Sequence, residues 1–187
     1  MVVFNYNFLI KFKPSIFISL GYQKDGCTVF FMKSLFGFKI FKLKPSVNIK
    51  ITIPGCVYVS CSSNFDKHLC MAYFKMLGRE FFGLGFEYSK VLEARGLGFN
   101  VDVSDSSLVL DTGFSHIVKV RPKVGVRFFK VGSFRSKIFQ VFSLDFFTLG
   151  QISYRIKCVK KPSIYRESGI YFKDEVILTK SGKKKKD

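Results

Sequence analysis

The chain has 187 residues, 48% of them hydrophobic, and 31 lysine and arginine residues against 13 acidic ones, a formal net charge of +18. This hydrophobic content allows a packed core and excludes a globally disordered chain. The positive charge is typical of proteins that bind polyanions, with nucleic acid as the first candidate. Lysines interrupt the apolar runs every few residues, as in "FFMKSLFGFKIFKLK", so we expect no membrane insertion.

The first half of the chain predicts strands followed by a helix. "VNIKITI" (47–53) and "CVYVSC" (56–61) alternate with a period of two and are separated by the turn residues Pro54 and Gly55. In "NFDKHLCMAYFKML" (64–77), one apolar face recurs every three or four positions and predicts a helix, through Phe65, Leu69, Ala72, Tyr73 and Met76.

The second half repeats this order. Short β-like stretches occupy 107–114, 116–122, 125–131 and 137–143, and helical spacing follows in "SLDFFTLGQISYRIKC" (143–158). Because the two helices lie about 80 residues apart and each follows a set of strands, the pattern indicates a tandem duplication.

We therefore predict an α+β fold of two tandem similar domains, each a small, mostly antiparallel sheet packed on one helix, with a basic carboxyl-terminal tail. The predicted boundaries are an amino-terminal extension at 1–12, a first domain at 13–86, a second, RNA-binding domain at 87–175 and a tail at 176–187.

The sequence offers no parts for an enzyme, a metal site or a cofactor site. The five cysteines form no CxxC pair and no zinc spacing with the two histidines, so we expect neither metal nor disulfide. Ser115 and His116 are adjacent, and on a strand they would point to opposite faces, which does not suit a nucleophile and its base. "GLGFN" (96–100) lacks the third glycine of a dinucleotide fingerprint. We expect no catalytic activity and no small-molecule substrate.

Basic residues cluster in two places in the second half. Seven lie between Lys119 and Lys137 without any acidic residue, and a second group begins at Lys157. The segment between Lys160 and Lys173 shows neither helical nor strand periodicity. This density of cations suits phosphate neutralisation.

At these residues the sequence resembles the large-subunit ribosomal protein L-six family. "KKPSIYRESGIYFKDEV" (160–176) is similar to the closing stretch of that family, although Ile164 replaces its second proline and Glu167 and Ser168 replace a glycine and a lysine. Upstream similarities follow in the family's order, in "LEARGLGFN" (92–100), "LVLDTGFSHIV" (108–118) and "LGQISYRIK" (149–157). The resemblance is dense in the second half and faint in the first.

The resemblance implies a structural constituent of the large ribosomal subunit. Family members bind large-subunit rRNA near the base of the factor-binding stalk and the sarcin-ricin loop, beside neighbouring ribosomal proteins and chiefly through the carboxyl-terminal domain. Together with the basic clusters, it gives these expected RNA-binding residues: Lys160, Lys161, Tyr165, Arg166, Gly169, Lys173, Ser115, His116, Lys119 and Arg121. We expect Glu167 to turn away from RNA toward Arg166 or Lys173, because phosphate repels an acid.

Composition also bears on the compartment. The chain has 24 phenylalanines but only two alanines, Ala72 and Ala94, a bias that follows from an AT-rich genome such as an organelle's. We expect a mitochondrial ribosome, with a plastid as second choice. The alternative functions are a free-standing RNA-binding or ribosome-assembly factor and, less favoured, a peripheral membrane protein on anionic lipid.

Overall fold

A computed structural model of the chain describes residues 6–12, 15–22, 28–44, 46–53, 55–61, 67–104, 106–132 and 137–182. They form two compact units, of which the first ends at Glu87 and the second begins at Tyr88. None of the helices in these residues is long and apolar enough to cross a membrane.

The first unit consists of two antiparallel three-stranded sheets and one helix. Its elements are β1 (Tyr6–Lys11), β2 (Phe17–Tyr22), β3 (Thr28–Ser34), β4 (Gly37–Leu43), β5 (Val47–Ile53), β6 (Cys56–Cys61) and α1 (Lys67–Phe86). One sheet has the order β1-β6-β5 and the other is the meander β2-β3-β4.

The second unit adds one strand to the same plan. Its elements are β7 (Tyr88–Arg95), β8 (Asn100–Ser104), β9 (Ser107–Asp111), β10 (Val118–Val120), β11 (Val126–Val131), β12 (Ile138–Ser143), α2 (Phe146–Val159) and β13 (Gly169–Phe172). The sheets have the orders β11-β12-β7-β13 and β10-β9-β8.

The two units share one topology. In each, the first strand pairs with the last strand before the helix, and a three-stranded meander intervenes between the first strand and the last two. The order β1-β6-β5 therefore corresponds to β7-β12-β11, and β13 has no counterpart among the described residues of the first unit. The predicted α+β class of two similar sheet-and-helix domains is confirmed.

The core of the second unit lies between α2 and its sheets. Helix α2 buries Leu149, Ile152 and Ile156 on one face, as its spacing predicts. Its amino-terminal cap is Asp145, whose Oδ2 accepts a hydrogen bond from the Thr148 amide at 3.0 Å. The predicted start after Ser143 was therefore two residues early.

The core of the first unit contains an ion pair. Phe30 is fully buried and its ring meets that of Phe81 on α1 edge-on, with centroids 6.0 Å apart. Beside this contact, Lys39 Nζ donates a hydrogen bond to the buried carboxylate of Glu80, and Arg79 Nη2 lies 3.7 Å from Glu80 Oε1. Because a buried carboxylate needs a charged partner, the Glu80 side chain accounts for the inward direction of Lys39 on β4.

Replacing Lys39 by methionine should destabilise the first unit by about 2–4 kcal/mol, because the buried Glu80 carboxylate keeps its desolvation penalty and, among the described residues, retains only Arg79, at 3.7 Å, as a cation. The measurement is chemical unfolding in which hydrogen exchange at the amides of β4 and α1 reports the loss of structure. The double variant Lys39→Met/Glu80→Leu should recover most of the loss. A double variant as unstable as the single one would mean that packing, not charge, sets the effect.

Two boundaries expected from the sequence differ from the structure. The strand Tyr6–Lys11 pairs along its whole length with β6, so residues 6–12 belong to the first sheet and are not an extension outside it. The segment from Lys160 to Lys173 is not structureless, because β13 pairs with β7 from Gly169 to Phe172. Within it, Ile170 and Tyr171 are buried, at 0% and 3% exposure.

The burial pattern of β13 explains why its sequence shows no alternation. Ile170 lies opposite Ala94 and faces the core beneath α2. The next residue, Tyr171, points to the other face, where the Arg95 guanidinium covers its ring at 4.9 Å. Since both faces of this short strand are covered, the period-two signal is lost.

Candidate nucleic-acid interface

The segment from Lys160 to Gly169, here called the terminal loop, is closed by backbone hydrogen bonds. The Ile170 amide donates to the Lys160 carbonyl at 2.9 Å, and the Ser163 amide donates to the Ser168 carbonyl at 2.8 Å. The loop leaves the end of α2 and returns directly into β13. Its two ends are therefore fixed by the helix and by the sheet.

Gly169 allows the two sides of the terminal loop to meet. Its φ is +145°, and a Cβ at this position would lie 2.6 Å from the Pro162 Cα and 2.9 Å from the Lys161 carbonyl oxygen. Such distances exclude any side chain without movement of the backbone. Gly169 is buried, so its place in the site is to hold the loop closed.

The tip of the terminal loop is exposed. Tyr165 is 66% exposed and Ile164 is 43% exposed, and Arg166 beside them is exposed as well. The Lys180 amide donates to the Ile164 carbonyl at 3.1 Å, so the chain that follows β13 returns to the tip and supports it. The tip thus presents an aromatic ring and a guanidinium on a braced backbone.

A second loop joins the terminal loop through a cation–π contact. This loop, residues 112–117 between β9 and β10, carries Phe114, whose ring stacks on His116 with centroids 5.9 Å apart. Lys160 Nζ lies 4.3 Å from the Phe114 ring centroid, within the range of a cation–π interaction. The structure therefore brings Lys160 and His116 together around Phe114, and Ser115, which lies between Phe114 and His116 in the sequence, is exposed.

The remaining predicted cations stand apart from this cluster. Lys119 and Arg121 are exposed on and after β10, and among the residues that the structure describes no side-chain hydrogen bond, ion pair or cation–π contact joins either of them to the terminal loop. Within the described residues, Lys161, Arg166, Lys119 and Arg121 form no ion pair with an acidic side chain. Their charges therefore face solvent without an internal counter-ion.

Lys157, by contrast, is neutralised inside the unit. It forms a hydrogen bond to Glu175 Oε1 and lies 5.1 Å from the Phe172 ring centroid. This hydrogen bond, with a further one from the Phe172 amide, lowers the pKa of Glu175 below its ordinary value of 4.5. The sequence placed Lys157 at the start of the basic cluster, but its charge is already paired.

Glu167 does not form the ion pair expected from the sequence. It has a positive φ of 50° and makes no ion pair with Arg166 or Lys173 within the described part of the chain. It lines a cavity of about 290 Å³ together with Arg95, Tyr171 and Lys173. Its charge acts there on Arg95, whose pKa is raised chiefly by the hydrogen bond from Arg95 to Glu93.

The Lys157–Glu175 pair gives a pH-dependent prediction. Since the pKa of Glu175 is lower in the folded state, the pair stabilises the unit above pH 4.5, and this stabilisation disappears as the pH falls through the lowered pKa. Glu175→Gln should therefore lower the free energy of unfolding at pH 7 by less than about 1 kcal/mol, because the pair is partly exposed. The difference from wild type should vanish in acid.

Denaturant unfolding at pH 7, 5 and 3 measures this difference. Asp174→Asn is the matched control, since Asp174 is the exposed neighbour of Glu175 and forms no ion pair within the described residues. A deficit of Glu175→Gln that persists unchanged at pH 3 would contradict the electrostatic origin.

Comparison with curated proteins finds a similarity over about half of the chain. The chain is 37% identical over 101 residues to large ribosomal subunit protein uL6 of Thermus aquaticus, covering 54% of each chain. It is 31% identical over 101 residues to uL6c of Porphyra purpurea and 32% identical to uL6 of Helicobacter pylori strain HPAG1, with the same coverage. Over this stretch the chain is similar to uL6 proteins. It spans about half the length of the uL6 proteins it matches, and no family model matches it.

The similarity to uL6 supports the family expected from the terminal motif, and the structure adds site residues that the motif did not indicate. Phe114 stands immediately before Ser115 and His116 in "TGFSH", and its aromatic character was the only available signal. The sequence did not indicate Arg95 as a site residue, because its position over Tyr171 depends on the pairing of β7 with β13.

Proposed function

We propose that this protein is a uL6 family member, a structural constituent of the large ribosomal subunit that binds large-subunit rRNA through its second unit. The binding surface in this proposal consists of the terminal loop and the loop at residues 112–117. The observation that carries it is the juxtaposition at 4.3 Å of Lys160 with the Phe114 ring, which joins the family's terminal motif to its upstream loop in one exposed, basic and aromatic surface.

The chemistry of this surface suits RNA. Exposed lysine and arginine side chains without internal counter-ions neutralise phosphates and release condensed counterions. The exposed Tyr165 ring on the braced tip can stack on an unpaired base or pack against a ribose. Ser115 and His116 offer hydrogen bonds to phosphate or 2′-hydroxyl groups.

The position on the ribosome and the compartment are finer parts of the proposal. The resemblance of residues 160–176 to the family's closing stretch supports binding near the base of the factor-binding stalk and the sarcin-ricin loop. The excess of phenylalanine over alanine supports an organelle genome, and we propose the mitochondrial ribosome, with the plastid ribosome second. Neighbouring ribosomal proteins complete the set of partners.

Gradient sedimentation of an organelle lysate tests the proposal. The protein should co-sediment with large subunits in a one-to-one ratio and remain there after a high-salt wash. Protein–RNA cross-linking on the same fractions should place residues 160–168 against large-subunit rRNA. A free-standing assembly factor would instead be found at the top of the gradient or on immature particles only, and that result would contradict the proposal.

A further inference from the structure

The meander β2-β3-β4 of the first unit has one face that its own core leaves uncovered. Directly opposed residues of antiparallel strands share a face, and the register places Lys33 between Phe17 and Phe38 in one row. The adjacent row on the same face contains Phe31 and Ile40. Their exposed fractions are 76% for Phe17, 72% for Phe38, 50% for Ile40 and 41% for Phe31.

The opposite face of the same meander is the one that packs inside the unit. There Met32 and Phe30 are 1% and 0% exposed, and Lys39 reaches Glu80 on α1. The side chains that this meander contributes to the core of the unit therefore come from its inner face. Three phenylalanines on the outer face stay exposed, and contacts with the core among the described residues do not account for them.

The outer face forms a shallow groove. It has a volume of about 480 Å³ and is lined by Phe17, Phe31, Phe38, Ile40 and Lys33 among others, which falls in the size range of small-ligand sites. A Cβ at Gly21 would lie 3.7 Å from Phe31 Cε2, so the Phe31 ring leans over the glycine and is held against the sheet.

The charge around this groove is positive. Strands β2, β3 and β4 contain three lysines, Lys33, Lys39 and Lys42, and no acidic residue. Lys33 lies within the aromatic row, and Lys42 is exposed at the other end of the same face of β4. Lys39 is the lysine that the core ion pair neutralises.

We infer that this face of the β2-β3-β4 meander binds a single-stranded segment of RNA, with bases stacked on Phe17 and Phe38 and phosphates neutralised by Lys33 and Lys42. The inference rests on the proposed function, which it extends from the second unit to the first. Exposed aromatic rings between cations on an antiparallel sheet are the arrangement with which sheets stack unpaired bases. An apolar protein surface could also pack against these rings, but the lysines among the rings favour a polyanion.

Cross-linking and binding of single-stranded RNA test the inference on the full chain. The probe is a pyrimidine RNA of about 12 nucleotides carrying 5-iodouridine, a length within the site size of such surfaces. We expect cross-links at Phe17, Phe31 or Phe38. Phe17→Ser/Phe38→Ser should weaken binding of this RNA at least about fivefold, because each stacked base contributes substantially to affinity. The same sequence in a duplex should give no cross-link in the meander.

Phe82→Ser/Phe86→Ser is the matched control, since it removes two phenylalanines of α1 that are 51% and 59% exposed but lie off the sheet. It should change the affinity less than about twofold. Cross-links confined to residues 112–168 would overturn the inference and leave the proposed function intact, whereas a chain that cross-links to no RNA would contradict both. A meander variant that changes only self-association in sedimentation would assign the face to protein contacts and also overturn the inference.

Discussion

Gly169→Ala should destabilise the second unit by about 3–5 kcal/mol, since it adds backbone strain to overpacking. At a φ of +145° an alanine is strained whatever space it has, and here its Cβ would meet backbone atoms of Lys161 and Pro162 at 2.6–2.9 Å. Backbone yields less readily than the end of a flexible side chain. Relief therefore requires the terminal loop to open or β13 to leave β7.

Hydrogen exchange measures this outcome better than a single unfolding midpoint, because a chain of two units need not unfold in one transition. We expect faster exchange at the amides of Ile170 and Lys173, which donate to the carbonyls of Lys160 and Val91.

Gly98→Ala and Gly150→Ala are the matched controls. Gly98 has a positive φ of 72° but open space around it, so its replacement should cost only about 1–2 kcal/mol. Gly150 lies within α2 and also has open space, so alanine there should stabilise by about 0.5–1 kcal/mol. If Gly169→Ala were no more destabilising than Gly98→Ala, the close approach to Pro162 would add nothing to the free-energy cost of the substitution.

Strands with one buried face were predictable from the sequence. In β12, Phe139 and Val141 are buried and alternate with less buried residues, and the same period is present in β5 and β9. This alternation follows from the geometry of a strand and is independent of distant contacts. The order of strands and helices then predicted the duplication, because the same succession occurs twice.

The buried face of α1 was not predictable in the same way. The sequence indicated a stripe through Leu69, Ala72 and Met76, whereas the fully buried apolar side chains are Cys70 and Leu77, followed by Leu84. Ala72 is exposed. Apolar residues occur on all sides of this helix, so periodicity alone does not select the face that meets the sheet. The helix also runs to Phe86, beyond the predicted end at residue 77, because no proline stops it.

The residues of the candidate site also divide into those that the sequence could predict and those that only the structure shows. The exposed cations and Tyr165 could be chosen from the sequence, since unpaired charge and a known motif are local properties. The contact of Lys160 with Phe114 joins distant parts of the chain and depends on the packing of α2 against the sheet. Likewise, the neutralisation of Lys157 by Glu175 follows only from the path of the chain after β13.

The triple variant Lys160→Gln/Lys161→Gln/Arg166→Gln should weaken rRNA binding and flatten its salt dependence. Each lost phosphate contact should reduce the logarithmic salt slope by roughly 0.7 to 0.9, so that three contacts reduce it by roughly 2 to 2.7. The fold should persist, because the hydrogen bonds that close the terminal loop come from backbone groups and the side chains of Lys161 and Arg166 are exposed. Titrating the rRNA fragment at several salt concentrations measures the slope.

The control for this variant removes three positive charges from the first unit. Lys11, Lys50 and Lys75 are exposed, and their replacement by glutamine lowers the net charge by the same amount as the triple variant. If the terminal loop contacts phosphates directly, the control should alter the slope far less, since only cations that neutralise phosphates release condensed counterions. Equal slopes for both variants would mean that net charge alone drives binding. A slope unchanged from wild type in the triple variant would assign the terminal loop to contacts with a neighbouring protein, because a surface that touches no phosphate releases no counterions when its cations are removed.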